Sequence, residues 1–239
     1  MKSISSVIVS VVVLIMAQTG LQAQSVYNKA RTGSVAVRLD GGVSWAMGSA
    51  FDKAETTRAK EIQPMGGAGI MYNFGPRFRL GLDYSYSRMI REQTGTLSTL
   101  PDGGVEGDVY KDLKTHLHTA ALTGEFNLLG SEAAGGRLSL YAGADAGCLI
   151  GSGNTYTIGI RNEIKPGGTG NTVRVTGHNE GHNYVAPFVP LSLSLEFAFL
   201  PQVSLSVGGG YRFIFAGNSD FAPGSQAFAT LGLRFNLSK

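Results

Sequence analysis

Nine charged residues carry most of the chemistry that can be read from this chain. Arg38, Arg79, Arg212 and Arg234, with Asp40, Asp83, Glu125, Asp145 and Glu196, each fall on the polar side of a segment whose residues alternate apolar and polar. Four cations and five carboxylates spread over the whole sequence suit mutual pairing in one enclosed space. Charges withdrawn from water must be paired or neutralised. Arginine fits that task, because its planar fork bonds a carboxylate in two places and stays charged. The expectation is an ionic network inside a narrow lumen. Arg38, Arg79, Arg234, Glu125 and Glu196 lie near the short-turn ends of their segments and make its lower layer. Asp40, Asp83, Asp145 and Arg212 stand above them.

Other reactive groups do not assemble into a catalytic set. His116 and His118 are two apart and share a strand face, while His178 and His182 fall in a long connection. A metal site across these loops would need ligands that converge. No serine stands two residues from His118, and no acid is placed beside it, so a hydrolytic triad has no sequence basis. Gly66-Gly67-Ala68-Gly69 and Gly208-Gly209-Gly210 lie inside alternating segments, not ahead of helices, and read as packing positions instead of phosphate loops. Cys148, the single cysteine, excludes an internal disulfide. Catalytic, cofactor and metal sets are therefore left empty, and an enzyme is not expected.

The elements that must position the nine charges have a period of two. Ser34–Gly48, Met65–Phe74, Phe78–Ser87, Lys114–Leu128, Leu138–Ile150, Val185–Phe199, Val203–Phe215 and Ala227–Leu237 each alternate an apolar with a polar or small residue. Most run to about 10 to 15 residues, longer than the usual 5 to 6 in globular sheets and enough for a tilted strand to cross a bilayer. Connections near 75, 129 and 200 are short, and those at 49–64, 88–113, 151–184 and 216–226 are longer and polar. Short turns at one end and long loops at the other predict an all-β, eight-stranded antiparallel up-and-down transmembrane β-barrel. The competing reading is a secreted lipocalin-like barrel with its apolar face inward. The polar face decides between them. It is crowded with Gly, Ser and Ala, which suit a narrow eight-stranded interior and not a solvated surface. Aromatic side chains fall in two groups. Tyr72, Phe74, Phe78, Phe126, Phe197, Phe199 and Phe235 lie near the short turns. Trp45, Tyr84, Tyr86, Tyr184, Phe188, Phe213 and Phe215 lie towards the long loops, as girdles at two membrane boundaries would.

Composition agrees. Among 239 residues, 43% are hydrophobic, only 15% are charged and 34 are glycine. That excludes a disordered chain, and a net charge of +3, scattered along the chain, gives no basis for nucleic-acid binding. Residues 1–23 have the layout of a secretory signal peptide: Lys2, the apolar run Val7 to Met16, and a cleavage site after Leu21-Gln22-Ala23. Residues 24–33 then form a periplasmic N-terminal segment and 34–239 the barrel.

With the signal peptide, the eight alternating segments and the closing run from Phe228 to Lys239, residues 34–239 resemble the small outer-membrane β-barrel proteins of Gram-negative bacteria, the family of the OmpA membrane domain, OmpX and porin-like barrels. The resemblance implies the cell outer membrane, contact with its lipid and lipopolysaccharide, and the barrel-assembly machinery during insertion. Members usually end on an aromatic residue, whereas this chain ends on Lys239 with Phe235 four residues earlier. It implies a non-catalytic role in stabilising the envelope or in interaction at the surface. The alternatives are a narrow gated channel, an accessory part of a protein-secretion machine and an outer-membrane lipid-modifying enzyme.

Overall fold

A computed structural model describes residues 33–47, 57–59, 62–94, 97–99, 105–129, 137–164, 171–216 and 222–237. The predicted signal peptide and nearly all of the N-terminal segment lie outside the described residues. In chain order the strands are β1 (Ser34–Met47), β2 (Thr57–Ala59), β3 (Gln63–Asn73), β4 (Phe78–Thr94), β5 (Leu97–Thr99), β6 (Val105–Asn127), β7 (Leu138–Ile164), β8 (Asn171–Ala198), β9 (Val203–Ile214) and β10 (Ser225–Leu237). The short β2 and β5 are appended to β4 and β6. The other eight strands form an antiparallel cycle. Each pairs with its neighbour in sequence, and β1 closes on β10 with Val37 opposite Phe235 and Gly41 opposite Leu231. The chain is a closed eight-stranded barrel.

Alternation decides which face is in. Along β8, Leu191, Leu193 and Leu195 are exposed while Glu196 is fully buried. Along β9, Leu205 and Val207 point out while Ser204 and Ser206 are buried. Ladder pairs extend this pattern round the wall. Leu39 lies opposite Leu233 and Ala68, Ile70 opposite Leu82, Leu82 opposite Leu122, and Val207 opposite Leu231 and Leu195. The result is a continuous exposed apolar belt. At about 3.3 Å per residue and a tilt of about 40°, a strand climbs about 25 Å between Val203 and Phe213, the height of a lipid-facing band. Tyr72, Phe74, Phe78, Phe126 and Phe199 ring its short-turn end, and Tyr84 and Phe213 stand near the other. An inward apolar face, as in a soluble lipocalin-like barrel, is excluded by this belt.

Three expectations change. The connections at 88–113 and 151–184 are mostly strand: β4 reaches Thr94, β6 starts at Val105, and β7 and β8 pair as far as Ile164 opposite Asn171. Tyr156, Ile158 and Ile160 still alternate with Thr155, Thr157 and Gly159, but the surrounding glycines, asparagines and charged residues resemble those of a surface loop. His178 and His182 consequently lie in a strand and not in a loop. Finally, Tyr184 and Phe188 do not join the outer girdle. They share the inward parity of buried Ala186, and Phe188 is itself buried.

Candidate functional site

Inside the barrel, the short-turn end is occupied by charge. Arg79 and Arg234 both donate to Glu196 Oε2, at 2.6 and 2.9 Å. Arg79 also bonds Glu125 through Nε, and its guanidinium lies 3.5 Å above the centre of the Tyr141 ring. Arg234 reaches Asn73, whose amide in turn donates to Ser34. Arg38 extends the network upward, to Glu125 at 3.0 Å, Asp83 at 2.6 Å and Asp40 at 2.7 Å. Arg79, Glu125, Glu196 and Arg234 are all nearly inaccessible. Seven of the nine predicted residues thus form one connected set of ion pairs spanning β1, β4, β6, β8 and β10, with Asn73 of β3 hydrogen-bonded at its edge.

The strands make room for it. A Cβ on Gly69 would stand 2.7 Å from Asp83 Oδ1, and one on Gly232 would overlap Asp40 Oδ1. Those two glycines leave the space the carboxylates fill.

Arg212 and Asp145 behave differently from the other seven. Arg212 donates to Gln226 Oε1 at 2.8 Å and to Ser85 Oγ at 2.9 Å, and its guanidinium faces the rings of Phe228 and Phe188. It makes no carboxylate pair among the described residues. Ser87 accepts from Gln226, and Ser85 is bonded to Thr119, so a neutral hydrogen-bonded layer surrounds this cation. Asp145 lines a cavity of about 60 Å³ with Asp83, Arg38, Thr123 and Arg212. Such a volume holds a few water molecules. The partners of Arg212 escaped sequence reasoning, because nothing in an alternating pattern says which residue stands across a lumen.

Above Arg212 the lumen turns apolar. Met89, Leu113, Leu117, Leu149, Ala186, Phe188 and Ile214 form a buried cluster, with Ala46, Ala121, Tyr184 and Ala216 packed around it. Level with its upper part, between Leu113 and Leu117 along β6, Thr115 Oγ1 is bonded to His182 Nε2 at 2.9 Å, the histidine ring stacked on Tyr184. The sequence did carry a signal for the cluster: Leu117 and Leu149 occupy inward parity positions in their segments, and Met89 continues the parity of Ser87 past the end of the segment predicted there.

An apolar belt outside and a stack of ionic, polar and apolar layers inside decide the class. This is the architecture of a small outer-membrane β-barrel. Solved structures to which the chain is similar include Neisserial surface protein A, with a TM-score of 0.47 and 11% identity over 85% of this chain and 97% of that one. The N-terminal β-barrel domain of Pseudomonas aeruginosa OprF gives a TM-score of 0.40 and 12% identity over 86% and 98%. Ail, the attachment invasion locus protein of Yersinia pestis, gives 0.40 and 11% over 86% and 99%. No protein-family profile and no curated protein matches the sequence.

On the outer wall, His116 and His118 each meet a tyrosine of β4. Tyr86 Oη and His116 Nδ1 are 2.6 Å apart, and Tyr84 Oη and His118 Nδ1 are 2.8 Å apart. The two histidines are therefore brought together with tyrosines and not with His178 or His182, which lie on β8.

Proposed function

We propose that this barrel is a sealed, non-catalytic scaffold of the outer membrane that presents tall strand extensions at the cell surface for interaction. The observation that supports it most is the unequal height of the wall. β9 stops at Ile214 and β1 at Met47, but β7 and β8 remain paired from Leu138 opposite Phe197 to Ile164 opposite Asn171. Their upper parts extend well past an apolar band of about 25 Å. Arg174, Val175, Thr176, His178 and Glu180 are exposed there. The ionic layer and the apolar cluster stacked in the lumen favour a rigid support over a permeation path. The four long connections then face outside and the short turns face the periplasm. The test is removal of residues 156–178 with a short turn in their place. Surface interaction of intact cells should fall while heat-modifiable gel mobility of the barrel stays as in wild type. Retained interaction would argue against presentation by these strands.

A narrow gated channel is the second reading. The polar cavity between Asp145 and Arg212 favours it. Stepwise conductance in planar bilayers would support this reading, and a silent bilayer would favour the scaffold.

A further inference from the structure

The cavity between Asp145 and Arg212 carries an imbalance of charge and of hydrogen bonding. It measures about 60 Å³, and Arg38, Asp40, Asp83, Thr123, Asp145 and Arg212 all border it. Lower in the barrel the charges match, since Arg79 holds Glu125 and Arg234 holds Glu196. At the cavity, three aspartates meet two guanidiniums. Arg38 is shared among Asp40, Asp83 and Glu125. Arg212 is taken up by Gln226 and Ser85. One carboxylate is therefore in excess, and Asp145 is the aspartate with no ion pair among the described residues. Arg137, just ahead of β7, stands at the short-turn end, about 20 Å below Asp145.

The groups left over are oxygens. Asp145 Oδ1, Asp83 Oδ1 and Thr123 Oγ1 are buried with no hydrogen-bond partner among the described residues. Thr123 is only 2% exposed and stands directly across the ladder from Asp145. Asp83 lies opposite Ala121, two residues from Thr123 on the same inward face of β6. The main chain repeats the shortage. Phe215 N–H donates to the Pro187 carbonyl, so odd-numbered residues of β8 turn their main chain to β9 and Pro190 turns to β7. Pro190 has no N–H, and the β7–β8 ladder skips Asp145 between Ala144 opposite Leu191 and Gly147 opposite Phe188. The Asp145 carbonyl is thereby left without its ladder donor. We infer that the cavity binds one monovalent alkali cation, sodium or potassium, between Asp145, Thr123 and Asp83, as a structural ion of the lumen. Charge selects this occupant. One positive charge cancels the excess carboxylate, whose burial alone would be costly, and a divalent ion would overshoot. Hard cations take oxygen ligands and complete their shell with water. A proton would serve one pair of oxygens and leave the others unmet. Among the described residues, no three His, Cys, Asp or Glu side chains gather to hold a multivalent metal. The volume suits a small ion with a water molecule beside it.

The experiment uses full-length protein in a non-ionic detergent at one mildly alkaline pH. Sodium or potassium chloride replaces the chloride of N-methylglucamine, a cation too large for the cavity, at constant ionic strength. The unfolding midpoint, read by circular dichroism, should rise saturably with either alkali ion. The rise should be roughly 3 °C at ten times the half-saturating concentration. Asp145→Asn, which removes the excess charge, should abolish the dependence. Thr123→Val should raise the half-saturating concentration several-fold. Glu180→Gln, at an exposed acid high on β8, should leave the dependence as in wild type. A wild-type midpoint that is the same in all three salts, or a dependence that survives Asp145→Asn, would overturn the site. Full recovery of the midpoint in N-methylglucamine at mildly acidic pH would also overturn it, by assigning the place to a proton. Should Asp145→Asn not fold, an unchanged half-saturation in Thr123→Val overturns the site by itself.

Discussion

Glu196 binds two guanidiniums with one oxygen and is fully buried, so it is the residue at which the ionic layer is most exposed to a single change. Removing one partner of a buried pair costs about 3 to 5 kcal/mol, because the charge left behind has neither water nor a counter-ion. Glu196→Gln should therefore lower the barrel's unfolding temperature, read by heat-modifiable gel mobility. Arg77→Gln, in the exposed turn before β4, should leave it unchanged. A Glu196→Gln barrel that melts like wild type would show that the ionic layer does not hold the wall together. Arg212 makes a contrasting case. Its partners are Gln226, Ser85 and aromatic faces, so Arg212→Met exchanges hydrogen bonds for packing and should cost less than Glu196→Gln in the same assay. Sequence could place all nine charges by parity, since parity fixes face. It could not pair them, because the residue across a lumen is set by strand order and stagger.

At the scale of elements, the apolar cluster is the part that differs most from a uniformly polar lumen. Phe188 fills its centre, beside Arg212 and under Tyr184. Phe188→Ala should cost about 3 to 5 kcal/mol through lost burial and the cavity left behind, measured as an earlier midpoint in urea. A change of under 1 kcal/mol would mean that the cluster is loosely packed. β1, β9 and β10 were legible almost to the residue, because each is half in lipid and half in lumen along its whole length, and contrast between faces is what periodicity detects. β6, β7 and β8 were legible only where they cross the apolar band. Past Leu113, Ile150 and Val185 the strands mix Tyr156, Ile158 and Val175 with many polar residues, and Thr155, Thr157, Thr176 and His178 look like loop residues although they are laddered. Phe188 misled for the related reason that an aromatic residue near a girdle suits either face.

For the whole molecule, the apolar belt fixes the medium. A charge in the middle of it, such as Leu82→Arg, should cost about 2 to 4 kcal/mol and lower the yield of folded barrel in the membrane fraction. Leu82→Ile should not. Lipid is thus as much a part of the fold as the ion pairs, because the same alternation that lines the lumen with Ser204, Ser206 and Glu196 must coat the exterior with Leu205, Val207 and Leu195. The most direct test of this inside-outside assignment is spin labelling of β8, one residue at a time from Leu191 to Phe197, with native Cys148 first replaced by Ser. Oxygen, which dissolves in lipid, should broaden labels at 191, 193, 195 and 197. Labels at 192, 194 and 196 should be shielded from it, giving a period of two. Accessibility that is uniform along the strand, or that peaks at 192, 194 and 196, would contradict a barrel with its ionic network inside and its apolar belt in the membrane.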